Sequence, residues 1–224
     1  MCDMNVPGNP DEPIYLKLDE LRGKALSCLF GELFTTMTDF RHNLLESLAN
    51  FPVSGAAESA LRGEFMALVA GHADACQRSR LDGHLTGSAW VVTTDGRQAL
   101  LMHHCKLDRW LQPGGHAEAI DEGLMHHAAL REATEETGCA VRLYHDPPTL
   151  LDVDVHRIPA LADQAAHHHL DLRFLVVAKD PQALALNAAE SFAVQWFSFD
   201  AAMSRATDPP LRRMIRKVRS IMGR

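Results

Sequence analysis

An α/β layered domain preceded by a helical hairpin is the fold class that this 224-residue sequence predicts. Two observations predict it. From Lys24 to about residue 70, apolar residues recur at steps of three and four, the period of an amphipathic helix. After "LDGHLTG" the texture changes to short apolar runs, turn residues and one further helix, the mixture that packs helices around a sheet.

Residues 1 to about 20 form a polar lead-in without the basic start and apolar core of a signal peptide. Leu26, Leu29, Phe30, Leu33, Phe34, Met37, Phe40, Leu44, Leu45 and Leu48 then make one helical stripe. "NFPVSG" at 50–55 stops it, because Pro52 disfavours helix at Phe51 and Gly55 favours a turn. A second helix carries Leu61, Phe65, Leu68 and Val69 on one face. Residues 1–82 are therefore expected as lead-in and hairpin, and 83–224 as the main domain. The two apolar stripes need cover from each other, from the main domain or from a second subunit, which leaves a homodimer open. "SAWVVTT", "DG" and "RQALLMH" read as strand, two-residue turn and strand, with Asp95 and Gly96 both at positive φ. "WLQPGGHAEAIDEG" reads as a loop, followed by a helix from about Glu122 to Thr137 that Gly138 ends. Strands are expected at 139–145, 149–157, 170–178 and 192–199, and a closing helix at about 209–222.

A net charge of -7 argues against a protein that grips nucleic-acid backbones, so nucleic acid is not an expected partner. The five cysteines include no CxxC pair and read as reduced thiols of a cytoplasmic protein. No apolar run approaches the roughly 18 residues of a membrane span.

The stretch "LREATEETG" at 130–138 is the informative one. On a helix, Glu135 and Glu136 lie about -60° and about +40° from Glu132, so the three carboxylates share a face. Like charges at i,i+3 and i,i+4 repel by a few tenths of a kcal/mol each, and acids near a helix C-terminus oppose its dipole. Arg131, four residues before Glu135, supplies one attraction. A divalent cation resolves both conflicts, and Mg2+ or Mn2+ prefers such an oxygen-only site. A solvated acidic face is the competing reading, and the adjoining Gly-rich loop counts against it.

"PGGHAEAIDEGLMHHAALREATEETGC" resembles the Nudix box, in which Gly, five residues, Glu and seven residues precede R-E-U-x-E-E-x-G-U, U being bulky and apolar. Gly115 matches the opening glycine, and Arg131, Glu132, Glu135, Glu136 and Gly138 match the second half at full spacing. Flanking segments from "GHLTGSAWVV" to "VQWFSFD" extend the resemblance over about 140 residues. Two features depart from the pattern. Counting back seven from Arg131 reaches Gly123, and counting forward from Gly115 reaches Asp121, so the loop is about two residues longer, with Glu122 or Asp121 as substitute. Ala133 and Cys139 stand where larger aliphatics are usual, which would let the helix pack closer to the sheet.

The resemblance implies a Nudix-like α/β/α sandwich with a mixed sheet. It also implies a hydrolase acting on the diphosphate of a nucleoside diphosphate linked to another group. Glu132, Glu135 and Glu136 would hold Mg2+ or Mn2+, and Arg131 would orient a neighbouring glutamate. Gly114, Gly115, His116, Glu118 and Glu122 would form the phosphate loop. The general base stays open between Glu135, Glu118, Glu122 and the metal alone. A nucleotide sensor on the same fold would be expected to lose these glutamates. An isomerase or RNA-end hydrolase is the remaining alternative, since the site and not the scaffold decides the chemistry.

Two later strands add candidates. Asp152, Asp154 and His156 alternate with Leu151, Val153 and Val155, and His167, His169, Asp171 and Arg173 alternate with His168, Leu170, Leu172 and Phe174. Polar faces on strands of a covered sheet suggest a lined cleft, so Asp154, His156, His169, Asp171 and Arg173 are candidate substrate contacts, with Trp110 as a stacking residue. An edge hairpin facing water is the alternative. A transition-metal site drawn from His167, His169, His156 or His116 is a further, weaker reading. "LRRMIRKVRSIMGR" carries six basic residues and reads as a solvated helix face.

Overall fold

The fold is seen in a computed structural model that describes residues 30–160 and 165–223, with side chains from Phe40 onward. The lead-in, and the stripe positions from Leu26 to Met37, lie outside the described side chains. Residues Phe40–Arg224 form one compact unit. Helix α1 spans Phe30–Asn50 and α2 spans Ala56–Gly71. The main sheet comprises β1 (His84–Val92), β2 (Gln98–His104), β3 (Arg109–Leu111), β4 (Gly114–His116), β5 (Val141–Leu143), β6 (Leu150–Ile158), β7 (His167–Ala178) and β8 (Ser191–Ser198). Helices α3 (Met125–Thr137), α4 (Phe199–Arg205) and α5 (Pro209–Ile221) complete the described elements.

β1 is the centre of the sheet, and all nine of its residues are buried. β7 runs parallel along one edge from His84 opposite His169 to Val92 opposite Val177. The other edge is shared, antiparallel, by β4 at Thr86–Ser88 and by β2 at Val92. β6 and β5 lie antiparallel on the far side of β7, and β3 and β8 flank β2. Successive β1 residues alternate between two cores, as strand geometry requires. Leu85, Ala89 and Val91 pack with Leu48, Phe65, Val69, Ala128, Ala129 and Ala133, from α1, α2 and α3. Trp90 and Val92 pack with Phe199, Leu211, Met214, Ile215 and Val218, from α4 and α5. The result is an α/β/α sandwich around a mixed sheet. Each fully buried side chain such as Phe65 or Leu211 contributes about 1.5–3 kcal/mol of apolar burial.

The elements differ from expectation where partners, not local pattern, decide. "RWLQPGGH" holds two three-residue strands, because β2 and β1 supply hydrogen-bond partners to a segment rich in Gly and Pro. β7 begins at His167, because Ile158, Arg157 and His156 of β6 pair with His167, His168 and His169. The β1–β2 connection is a four-residue turn: Thr93 N–H donates to Gln98 O at 3.1 Å and Gly96 N–H to Thr93 O at 2.8 Å. Gly96, at φ 63°, takes a left-handed conformation there, and Asp95 does not. The Thr93 hydroxyl closes this wider turn, donating to Asp95 and accepting from the N–H groups of Arg97 and Gln98. Helix α3 begins at Met125 and not near Glu122, because a 3-10 turn at Ala119–Asp121 and a left-handed Glu122 (φ 53°) interrupt the backbone first. The short α4 was not foreseen; Ser198 caps it, accepting from Ala201 N–H at 3.2 Å. Among the described residues, no helix is long and apolar enough to cross a membrane.

Candidate active site

Helix α3 lies directly on β1 because both surfaces are small. Ala128, Ala129 and Ala133 are fully buried, and a Cβ on Gly87 would run into the Met125 carbonyl oxygen. This close approach sets α3 beside the "GGH" strand β4. A Cβ on Gly115 would collide with the Glu132 carboxylate, so the glycine leaves that carboxylate against bare backbone. Gly114 N–H donates to Glu136 Oε2 at 2.9 Å.

Arg131 is the hub. Its guanidinium donates to Glu135 Oε2 at 2.9 Å, Glu132 Oε1 at 3.1 Å, Asp121 Oδ2 at 3.0 Å and the His116 carbonyl at 2.7 Å. Burial opposes its charge, but Asp121, Glu132 and Glu135 outweigh that and raise its pKa. Of the two candidates in the lengthened loop, Asp121 is the one at Arg131. It is 2% exposed, while Glu122 is exposed at the end of the 3-10 turn. Glu118 is exposed too; its side chain and that of Asp121 reciprocally cap the turn.

The three glutamates of α3 differ in environment. Glu136 is 5% exposed, Glu132 is half-buried and Glu135 is exposed. Burial, together with a hydrogen bond that the protonated carboxyl donates to Glu190 and the charge of Glu132, pushes the Glu136 carboxyl up to about 9, against the Gly114 N–H. Burial also raises Glu132, with Arg131 opposing. Glu190, just before β8, is thus a fourth glutamate of this cluster. No local signal in "NAAESF" marks it, and only the fold brings it to α3. The donor set fits a hard divalent cation: it is oxygen-rich, and a buried carboxyl keeps its proton until a positive charge takes that place.

The polar faces of β6 and β7 form a different arrangement. Arg173, buried, donates to Asp171 at 2.7 Å, Asp154 at 3.1 Å and Asp152 at 3.3 Å. Arg213 and Lys217 of α5 reach Asp152 at 2.8 Å each, and Lys217 also reaches Glu58 of α2 at 3.0 Å. Two of the basic residues of α5 are therefore turned onto the sheet and not outward, because buried aspartates draw counter-charges. Asp171 further accepts from the Ser88 and Thr86 hydroxyls. Asp154, Asp171 and Arg173 thus face one another. His156 lies 3.5 Å from Asp154. Trp110, on β3, stacks on His103 and meets Phe197 edge-on. His169 meets His116, His167 and His84, a residue the sequence had not singled out. A groove of 720 Å³ between α1, the start of α3 and Pro147–Leu150 is lined by Phe40, Leu44, Phe51 and Met125, apart from the glutamates.

The NUDIX domain model matches residues 84–218, more than half of the chain, and the chain belongs to that family. As a member it is a hydrolase of phosphoric anhydride bonds. Among solved structures it is similar to a NUDIX-family hydrolase from Clostridium perfringens, at 24% identity over 63% of this chain and 99% of that one, with TM-score 0.46. A MutT NUDIX hydrolase from Burkholderia pseudomallei is 22% identical over 61% and 98%, with TM-score 0.45. A C. elegans Ap4A hydrolase is 16% identical over 62% and 97%, with TM-score 0.44. A search of curated protein sequences finds no match.

Proposed function

We propose that this chain is a cytoplasmic pyrophosphohydrolase that uses Mg2+ or Mn2+ to cleave the diphosphate of a nucleoside diphosphate linked to another group. The observation that carries this reading is the meeting of Glu132, Glu135, Glu136 and Glu190 beside the Gly114–Gly115 backbone, with Arg131 holding two of the carboxylates. Glu132, Glu135 and Glu136 would hold the cation, which would neutralise the diphosphate and lower the pKa of a bound water. Arg131 is a positioning residue: it fixes Glu132 and Glu135 and, through the His116 carbonyl, the strand that carries the glycines. Gly115 leaves backbone open for an approaching phosphate. Glu190 reaches the cluster without a bond to Arg131 and is assigned the proton-accepting role.

The test is a panel of nucleotide-sugars, nucleotide-alcohols, dinucleotides and nucleoside triphosphates with Mg2+ or Mn2+, scored as phosphate released after a coupling phosphatase. Glu135→Gln and Glu136→Gln are expected to lose nearly all turnover, and Glu190→Gln to lower kcat more than it raises KM. Full activity in the first two variants sinks the mechanism.

A further inference from the structure

Four histidines come together at the end of the sheet where β1 and β7 begin. The parallel register sets His84 opposite His169, and Thr86 is opposite His116, so β1, β4 and β7 deliver His84, His116, His167 and His169 to one place. One ring nitrogen from each lies within 4.8 Å of all the others. His169 Nε2 is 3.1 Å from both His116 Nε2 and His167 Nε2.

The proton count is what makes the cluster unusual. His167 Nδ1 lies 2.9 Å from the Ala165 carbonyl and His84 Nδ1 lies 3.2 Å from the Arg80 carbonyl, contacts that require Nδ1–H in each ring. In the neutral ring the other nitrogen, Nε2, is then a bare lone pair. His84 is fully buried, and its Nε2 has no hydrogen-bond partner. His169 can donate one Nε2 proton, to His116 or to His167 but not to both. Lone pairs therefore converge, two of them on rings already oriented by backbone carbonyls, the outer-shell arrangement found behind metal-bound histidines.

We propose that His84, His116, His167 and His169 bind a late first-row divalent metal, Zn2+ foremost, in a closed tetrahedral site separate from the glutamate cluster. All-imidazole donors favour Zn2+ over Mg2+. Tetrahedral Zn–N bonds of about 2.0–2.1 Å place nitrogens roughly 3.3 Å apart, close to the 3.1 Å contacts here. Four protein ligands leave no open position, so the role is structural. The metal ties the starts of β1 and β7 to His116, the last residue of the glycine strand, whose carbonyl Arg131 holds.

The experiment is Co2+ titration of untagged, chelator-treated protein in excess Mg2+, with metal content of the untreated protein measured alongside. About one equivalent is expected, with the visible d–d bands of tetrahedral Co2+, no thiolate charge-transfer band, and displacement by Zn2+. His84→Gln and His169→Gln should weaken this binding by more than about a hundredfold, while Glu135→Gln and Glu136→Gln keep it. Should the histidine variants fail to fold, the wild-type titration decides alone. Absence of tetrahedral Co2+, a thiolate band, or unchanged binding in folded His84→Gln overturns the proposal.

Discussion

Two groups of carboxylates lie in this molecule, and their surroundings differ. Asp152, Asp154, Asp171 and Glu58 are met by Arg173, Arg213 and Lys217 at 2.7 to 3.3 Å. In the other group Arg131 holds Asp121, Glu132 and Glu135, while Glu136 and Glu190 meet each other beside it. In the first group three cations meet four acids: burial pushes Asp154 up, but His156, Arg173 and Arg213 together hold it below the usual carboxylate range. The second is under-balanced, and Glu136 is driven up to about 9. Buried acids with enough cations hold a fold together; buried acids short of cations wait for one.

Breaking the second group should hurt chemistry most. Glu136→Gln is expected to lower kcat/KM by at least about 10²–10³ with little change in urea stability, read from steady-state kinetics and equilibrium unfolding. Breaking the first should hurt stability instead. Arg173→Met leaves three buried aspartates short of a partner and should destabilise by about 3–5 kcal/mol; an unchanged urea midpoint would remove the network from the account. Gly87→Ala forces a methyl into the Met125 backbone and should cost about 1–3 kcal/mol, with a fall in kcat as α3 shifts against the glycine strand.

The smallest effect is a pH dependence. The folded pKa of Asp154 lies below its ordinary 3.8, so its stabilisation is complete above 3.8 and disappears as pH falls through the folded value. Asp154→Asn should therefore be less stable than wild type at neutral pH, and the gap should close in acid unfolding below about 4. A gap that stays constant to low pH would mean that the charge contributes nothing.

What could be read in advance follows from how local each feature is. "LREATEETG" announces its helix, its cap and its acidic face, since all three depend on neighbours within four residues. The apolar stripe of α2, the part of the α1 stripe from Phe40 to Leu48 and the closing helix are legible for the same reason. β3 and β4 are not, because "RWL" and "GGH" become strands only through hydrogen bonds to β2 and β1. Glu190 and His84 gave no signal, because they reach their clusters across long stretches of chain. The alternation "DVDVH" and "HHHLDLR" marked polar faces correctly, but not their occupant: Arg213 and Lys217 arrive from about sixty residues away to cover the acidic part.

The contrast between the two acidic groups is tested most directly by Mn2+ binding, followed by the loss of the free-ion electron paramagnetic resonance signal. Wild type and Asp154→Asn should bind Mn2+ alike, and the double variant Glu135→Gln/Glu136→Gln, checked for folding, should not bind it. Equal binding in all three would contradict the assignment of the metal to helix α3.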